Sequence, residues 1–218
     1  MQPGFRTLTN VGTMNLDDKL DFFVGKEFTD FETILNLSKY DKSKNRFSYD
    51  KQKRKADKHK GYLVTGRRFD PHSPNTFLFA FSCNEKFVAP DTFKSIKLEL
   101  DDAKINTLFL NSTFGIANIT LLKEQTTGHY TDIRQTDLLL LDILNIHKLD
   151  DLTKEKLLRL YKKFEDIEFK SLTEQFTDST ENRVKLDLEL FTILGFERFE
   201  IEEILPPVYK AISNELQH

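Results

Sequence analysis

Apolar positions change their spacing along this chain, and each change marks an expected element. Before residue 60 they cluster briefly (Phe22, Phe23, Phe28, Phe31, Ile34, Leu35) and then give out. Residues 39–60 are strongly polar, with few aliphatic side chains, which predicts an exposed loop or a frayed strand pair. Residues 61–100 read as β-structure. Tyr62-Leu63-Val64 is a short strand signal, and Phe77-Leu78-Phe79-Ala80-Phe81 is a denser, more buried one. Ile96-Lys97-Leu98-Glu99-Leu100 alternates at period two, as a strand with one wet face does. Two prolines in Asp70-Pro71-His72-Ser73-Pro74-Asn75 predict a turn.

From residue 101 the spacing becomes helical. Asp101 and Asp102 suit a helix N-terminus, where the helix dipole favours negative charge. Residues 103–122 are apolar all round. They predict a buried helix, or a helix pair bent near Ser112 and Thr113, with the polar step Asn111-Ser112-Thr113 turned towards a functional face. Thr153 suits an N-cap, ahead of the stripe Leu157, Leu160, Tyr161 and Phe164. Ser171-Leu172-Thr173-Glu174 fits a capping box. Residues 184–190 alternate at period two, a strand signal, whereas Ile193, Leu194 and Gly195 suit a helix closed by glycine; helix is the expectation. Ile201, Ile204, Leu205, Val208, Tyr209, Ile212 and Leu216 form a last amphipathic stretch, which Pro206-Pro207 should break or restart. The expected fold class is α+β, with a small β-region at about 60–100 and a mainly helical C-terminal half. Three regions follow: an N-terminal segment, 1–60, carrying the basic loop 39–60; an α+β region, 61–150; and a helical region, 151–218.

Charge sharpens this outline. The 218 residues carry a net −3, but residues 39–68 hold 12 basic against 3 acidic side chains, a local +9. A basic block on an otherwise acidic chain points to a polyanionic partner. Lys53, Arg54, Lys55, Lys58 and Lys60 supply unspecific attraction. Arg67 and Arg68, closing a strand, are better fixed and suited to grip phosphates or read guanine edges. With 39% hydrophobic and 31% charged residues, the chain is neither membrane-like nor compositionally disordered. Its first residues lack the apolar core of a signal peptide, so a cytoplasmic location is expected.

Catalytic chemistry finds little support. Gly61-Tyr62-Leu63-Val64-Thr65-Gly66-Arg67-Arg68 has the glycine spacing of a phosphate loop, but arginines stand where that loop needs Lys and a hydroxyl. The five histidines are not at metal-ligand spacing with one another or with the single cysteine, Cys83. Asp101-Asp102 and Asp150-Asp151 are adjacent pairs whose side chains diverge, which suits capping better than acid–base work.

An ordered set of short motifs carries a family resemblance. Arg67-Arg68-Phe69, Ser73-Pro74, Phe81-Ser82, Leu110-Asn111-Ser112-Thr113 with Gly115, Gly128-His129-Tyr130 and Asp137-Leu138-Leu139 come first. Arg183, Leu186-Asp187, Leu194-Gly195, Glu203-Ile204-Leu205 and residues 209–216 follow. Together, over roughly residues 61–216, they resemble the C-terminal, target-recognition part of the N6-adenine DNA methyltransferases of restriction–modification systems. Such enzymes hold S-adenosylmethionine in a separate Rossmann-like domain and methylate a flipped-out adenine. That domain's glycine-rich turn and Asn/Asp-Pro-Pro-aromatic loop do not occur here: the one Pro-Pro lies between Leu205 and Val208, and the eight glycines never form Gly-x-Gly. The resemblance implies a DNA-binding specificity module with no methyl-transfer site of its own: a separated subunit, half of a split gene or an excised domain. Its expected partners are double-stranded DNA and a catalytic methyltransferase subunit, which would hold the S-adenosylmethionine. No cofactor is expected in this chain. It adds Ser112, Thr113 and His129 to the DNA-facing residues. Two alternatives stay open: a protein-interaction subunit or degenerate methyltransferase remnant, and an RNA-binding accessory protein.

Overall fold

The computed structural model describes residues 19–21, 46–48, 60–74, 76–87, 93–122, 124–125, 131–134 and 136–217. Strand pairing among them is antiparallel and centred on β3 (Gly61–Gly66). β3 lies between β5 (Ala80–Phe87) and β6 (Phe93–Ile96), with Leu63 opposite Ser82 on one side and Ile96 on the other. β4 (Arg68–Phe69), β8 (Thr131–Asp132) and β7 (Glu124–Gln125) make a second small sheet. β1 (Lys19–Asp21) pairs with β2 (Arg46–Ser48), a strand pair within the N-terminal segment.

Two strands are displaced from their sequence signals. Of the dense apolar run at 77–81 only Ala80 and Phe81 belong to β5, and the Asn111 side chain accepts from Phe79 N and Ala80 N where the strand starts. The alternating run at 96–100 ends its strand at Ile96, and Leu100 already begins a helix. Helix α1 (Leu100–Leu110) is the centre of the core, with Ala103, Ile105, Leu108 and Leu110 buried against β3 and β5. Helix α2 (Thr113–Leu122) continues from it at a bend of 78°, as the break in the apolar pattern predicts. No single helix among the described residues is long and apolar enough to cross a membrane; α1 and α2 together have the length and composition. Their inward residues lie in the protein core.

Four further helices pack around this pair: α3 (Asp151–Phe164), α4 (Leu172–Thr177), α5 (Glu181–Ile193) and α6 (Arg198–Gln217). The result is α+β and mainly helical. One buried cluster runs from Leu63 in β3 through α1 to Leu216 in α6, so the β-region and the helical region share a core.

The helix ends follow local chemistry. The cap of α3 is Asp150, not Thr153: its carboxylate accepts from the Thr153 backbone N–H at 2.8 Å and from the Thr153 hydroxyl at 2.7 Å. Thr153 is therefore the third helical residue and the donor. Ser171 and Glu174 form the expected capping box at α4. Gly195, at φ +97°, closes α5, a conformation that favours glycine. Pro206 and Pro207 do not interrupt α6. Both prolines are exposed, so water can satisfy the carbonyls they leave unpaired, while Ile201, Leu205, Tyr209, Ile212 and Leu216 hold the other face in the core.

Two capping carboxylates make stability depend on pH. Asp150 is held below its ordinary value by the Thr153 backbone N–H and then the Thr153 hydroxyl. Glu174 is held below its own by the Ser171 hydroxyl and then the Ser171 backbone N–H. Because both folded values are depressed, the caps are complete above the ordinary carboxylate range and are lost as pH falls through the folded values. The first turns of α3 and α4 should therefore open before α1 on acidification from about pH 5. Amide exchange, corrected for intrinsic rates, reports this; equal protection of the Thr153, Glu174 and Leu108 amides down to pH 2 would contradict it.

Candidate nucleic-acid interface

The joint between the two small sheets carries Arg67. β3 ends at Gly66, whose N–H donates to Phe79 O at 2.8 Å; Arg67 follows as a bend, and Arg68 opens β4 opposite Asp132. The Arg67 guanidinium lies 3.2 Å from the Asp132 carboxylate, with both side chains partly exposed. The carbonyl of Arg67 accepts from Ile133 N at 2.9 Å. Backbone and side chain thus hold this arginine at an edge accessible to solvent.

At the other end of β3, three lysines meet. Lys60 precedes β3, Lys86 stands near the end of β5 and Lys97 follows β6. Antiparallel pairing on both sides of β3 brings these ends together, with Gly61 opposite Phe87 and Leu63 opposite Ile96. The three line an open groove with Gly61, Leu98, Glu99, Asp102 and His147. The Lys97 ammonium donates to the Lys60 carbonyl, and Lys86 stands 5.0 Å from the Tyr62 ring centroid. Burial, then the neighbouring charges of Lys86 and Lys60, push Lys97 below the usual lysine value. Sequence reasoning picked out Lys60 and missed Lys86 and Lys97, because the charge block stops at residue 68 and only the strand register brings them in. At about 3.3 Å per residue, β3 separates the arginine and lysine ends by roughly 20 Å.

The Asn111-Ser112-Thr113 step does not face outward, which corrects the expectation of a functional face there. All three residues are fully buried. A 78° bend breaks the backbone ladder between α1 and α2, and these side chains and their partners repair it. Ser112 caps α2 by accepting from Gly115 N at 3.3 Å and donates to Phe109 O at 2.6 Å. Thr113 N and Oγ1 both donate to Asp187, at 2.8 and 2.5 Å. Asn111 holds the start of β5: its Oδ1 accepts from Phe79 N and Ala80 N, and its Nδ2 donates to Ala80 O.

Beneath this step lies a buried ion pair. Arg183 and Asp187, one turn apart on α5, are both fully buried, with Nη1 and Oδ1 3.7 Å apart. Arg183 donates to Asn111 O through Nη1 and to Gln175 Oε1 through Nη2 at 2.6 Å. Its guanidinium lies 5.1 Å from the Phe176 ring centroid and 5.8 Å from that of Phe169. Asp187 also accepts from the Tyr209 hydroxyl at 2.8 Å. Burial pushes the Asp187 carboxyl upward, opposed by Arg183 and by the Thr113 and Tyr209 donors. Gln175 Nε2 in turn donates to Phe77 O and Lys170 O, both at 2.7 Å. An unbroken chain of hydrogen bonds therefore runs from α5 through Asn111 to the start of β5, and from Phe79 O to Gly66, beside Arg67.

The remaining sequence-level candidates divide simply. Lys53, Arg54, Lys55, Lys58 and His129 lie outside the described residues, and Arg68 is described by its backbone only. Among the described residues, no group of His, Cys, Asp or Glu side chains forms a metal position.

No protein-family model matches this chain, and no curated protein sequence matches it. Among solved structures, the fold is similar to part of the type IIG restriction endonuclease BpuSI, with a TM-score of 0.63 and 12% identity. The match covers 97% of this chain and 27% of that one, so the chain spans about a quarter of the enzyme's length.

Proposed function

We propose that this chain is a DNA-binding specificity module of a restriction–modification system, without a methyl-transfer site of its own. The observation that carries the reading is the arrangement of cations about β3, with Arg67 fixed at one end and Lys60, Lys86 and Lys97 gathered at the other. The basic residues 39–60 adjoin the lysine end in sequence, and net charge elsewhere would repel DNA. The likeness in fold to a segment of a restriction enzyme supports the same context. Roughly 20 Å between the two ends corresponds to about six base pairs at 3.4 Å per step. S-adenosylmethionine and the methyl-transfer residues would belong to a catalytic subunit acting in trans, in the cytoplasm.

A competition experiment tests the polymer. Labelled duplex DNA bound to the chain should be displaced by unlabelled duplex at lower concentration than by structured RNA; the reverse order would favour the RNA-binding alternative. Calorimetry with S-adenosylmethionine should give no binding heat, and micromolar binding would refute the absence of a cofactor site.

One observation favours a protein partner as well. Leu139 and Leu140, in the 3₁₀ turn Asp137–Leu140, are 83% and 66% exposed, and the turn packs beside α2, whose Leu121 is 84% exposed. Asn118 secures the following segment to α2 by accepting from Asp142 N at 3.2 Å and donating to the Asp142 carboxylate at 2.9 Å. A fixed apolar ridge of this kind suits a subunit interface.

A further inference from the structure

We propose that Lys60, Lys86 and Lys97 form a phosphate site that holds one backbone phosphate of a duplex whose other contact lies at Arg67. The proposal rests on the DNA reading for its occupant, and on the groove alone for its chemistry. Three separate chain segments bring one lysine each to the same groove, so the cluster is a product of strand register rather than of local sequence. An ammonium group has three donors. Lys97 gives one to the Lys60 carbonyl, which leaves the others for a ligand and ties the side chain to the start of β3. Lys86 is held against Tyr62. No carboxylate among the described residues forms an ion pair with Lys86 or Lys97. Burial first, and then the like charges of Lys86 and Lys60, disfavour the charged form of Lys97. An anion in the groove relieves that repulsion.

The ligand class follows from number and polarity. Three ammonium groups match a phosphate, which offers several acceptor oxygens, better than a single carboxylate. Lysine suits phosphate as a point charge without the planar fork that carboxylate recognition uses. Glu99 and Asp102 line the same groove and would repel a second phosphate. The site therefore takes one phosphate and ends the contact there. Its role is positional, since phosphate contacts fix register and carry no base information.

The test uses the full chain and the variants Lys86→Gln, Lys97→Gln and their combination. These side chains are exposed, so thermal melting should be unchanged. Fluorescence anisotropy with duplexes of about 20 base pairs is measured at several salt concentrations. In the double variant, affinity should fall by a similar factor on unrelated duplexes, and the log–log salt slope should shrink by about 1, as expected for one phosphate. In parallel, pyrophosphate binding is measured by calorimetry and should weaken at least tenfold in the double variant. An unchanged salt slope together with unchanged pyrophosphate binding overturns the site. Pyrophosphate binding that needs both lysines, in a chain with no duplex affinity, keeps the phosphate site and removes the DNA reading.

Discussion

Replacing Arg183 by Ala should cost about 3–5 kcal/mol of folding stability, the usual result of removing one partner from a buried ion pair. That is at least about a fifth of the roughly 5–15 kcal/mol that holds a typical domain together. The magnitude follows from what is stranded. Asp187 would be left fully buried without its cation, Asn111 O and Gln175 Oε1 would lose their donors, and a large volume between Phe169 and Phe176 would empty. Removing both charges would not restore stability, because Thr113 N, Thr113 Oγ1 and Tyr209 Oη all donate to Asp187. Arg183→Lys keeps the charge but has no fork with which to reach Asn111 O and Gln175 Oε1 together, and should fall between wild type and Arg183→Ala. Urea denaturation of the three variants measures the series. A loss below about 1 kcal/mol for Arg183→Ala would show that the pair does not organise the core.

Gly115→Ala should be as damaging, although it adds only one methyl group. A Cβ on Gly115 would lie 2.3 Å from Phe109 O and 2.6 Å from both the C and Cα atoms of Leu110. All three are backbone atoms of α1, so no side chain can rotate away. Either the 78° bend opens or the helices separate, and both displace Asn111 from β5. Overpacking commonly costs 1–3 kcal/mol; with rigid backbone as the obstacle, about 3 kcal/mol or more is expected. Near-normal melting of Gly115→Ala would mean that the bend tolerates a wider angle than the structure shows.

Elements with a clean apolar period were legible in the sequence. The stripe of α3, the capping box of α4 and the bend between α1 and α2 all follow from residue spacing. Helix α5 is instructive because its pattern misleads. Its buried positions, 183, 186, 187, 190 and 191, have true helical spacing, but two of them are Arg and Asp. With two charges on the inward face, the apolar residues that remain alternate as in a strand, and only Ile193, Leu194 and Gly195 beyond them carry the helix expectation that the structure bears out. The same ion pair explains the Asn111-Ser112-Thr113 step. A polar break in an apolar helix suggests an outward surface unless its partners are known, and the distant ones lie about 30 residues earlier for the Asn111 side chain and about 70 residues further along for Thr113. The lysine groove was hidden for a related reason. Lys60, Lys86 and Lys97 are scattered in sequence, and only the antiparallel register about β3 assembles them.

We propose that the cations about β3 receive a duplex, and that the buried network through Asn111 holds Gly66, and with it Arg67, in place to do so. The most direct measurement is fluorescence anisotropy of the chain with duplex DNA across a salt series, for wild type and for Arg67→Ala/Arg68→Ala. Wild-type affinity should fall steeply with salt, and the double variant should lose on the order of 1–3 kcal/mol at fixed salt. Wild-type binding no stronger at low salt than that of an acidic control protein would contradict it.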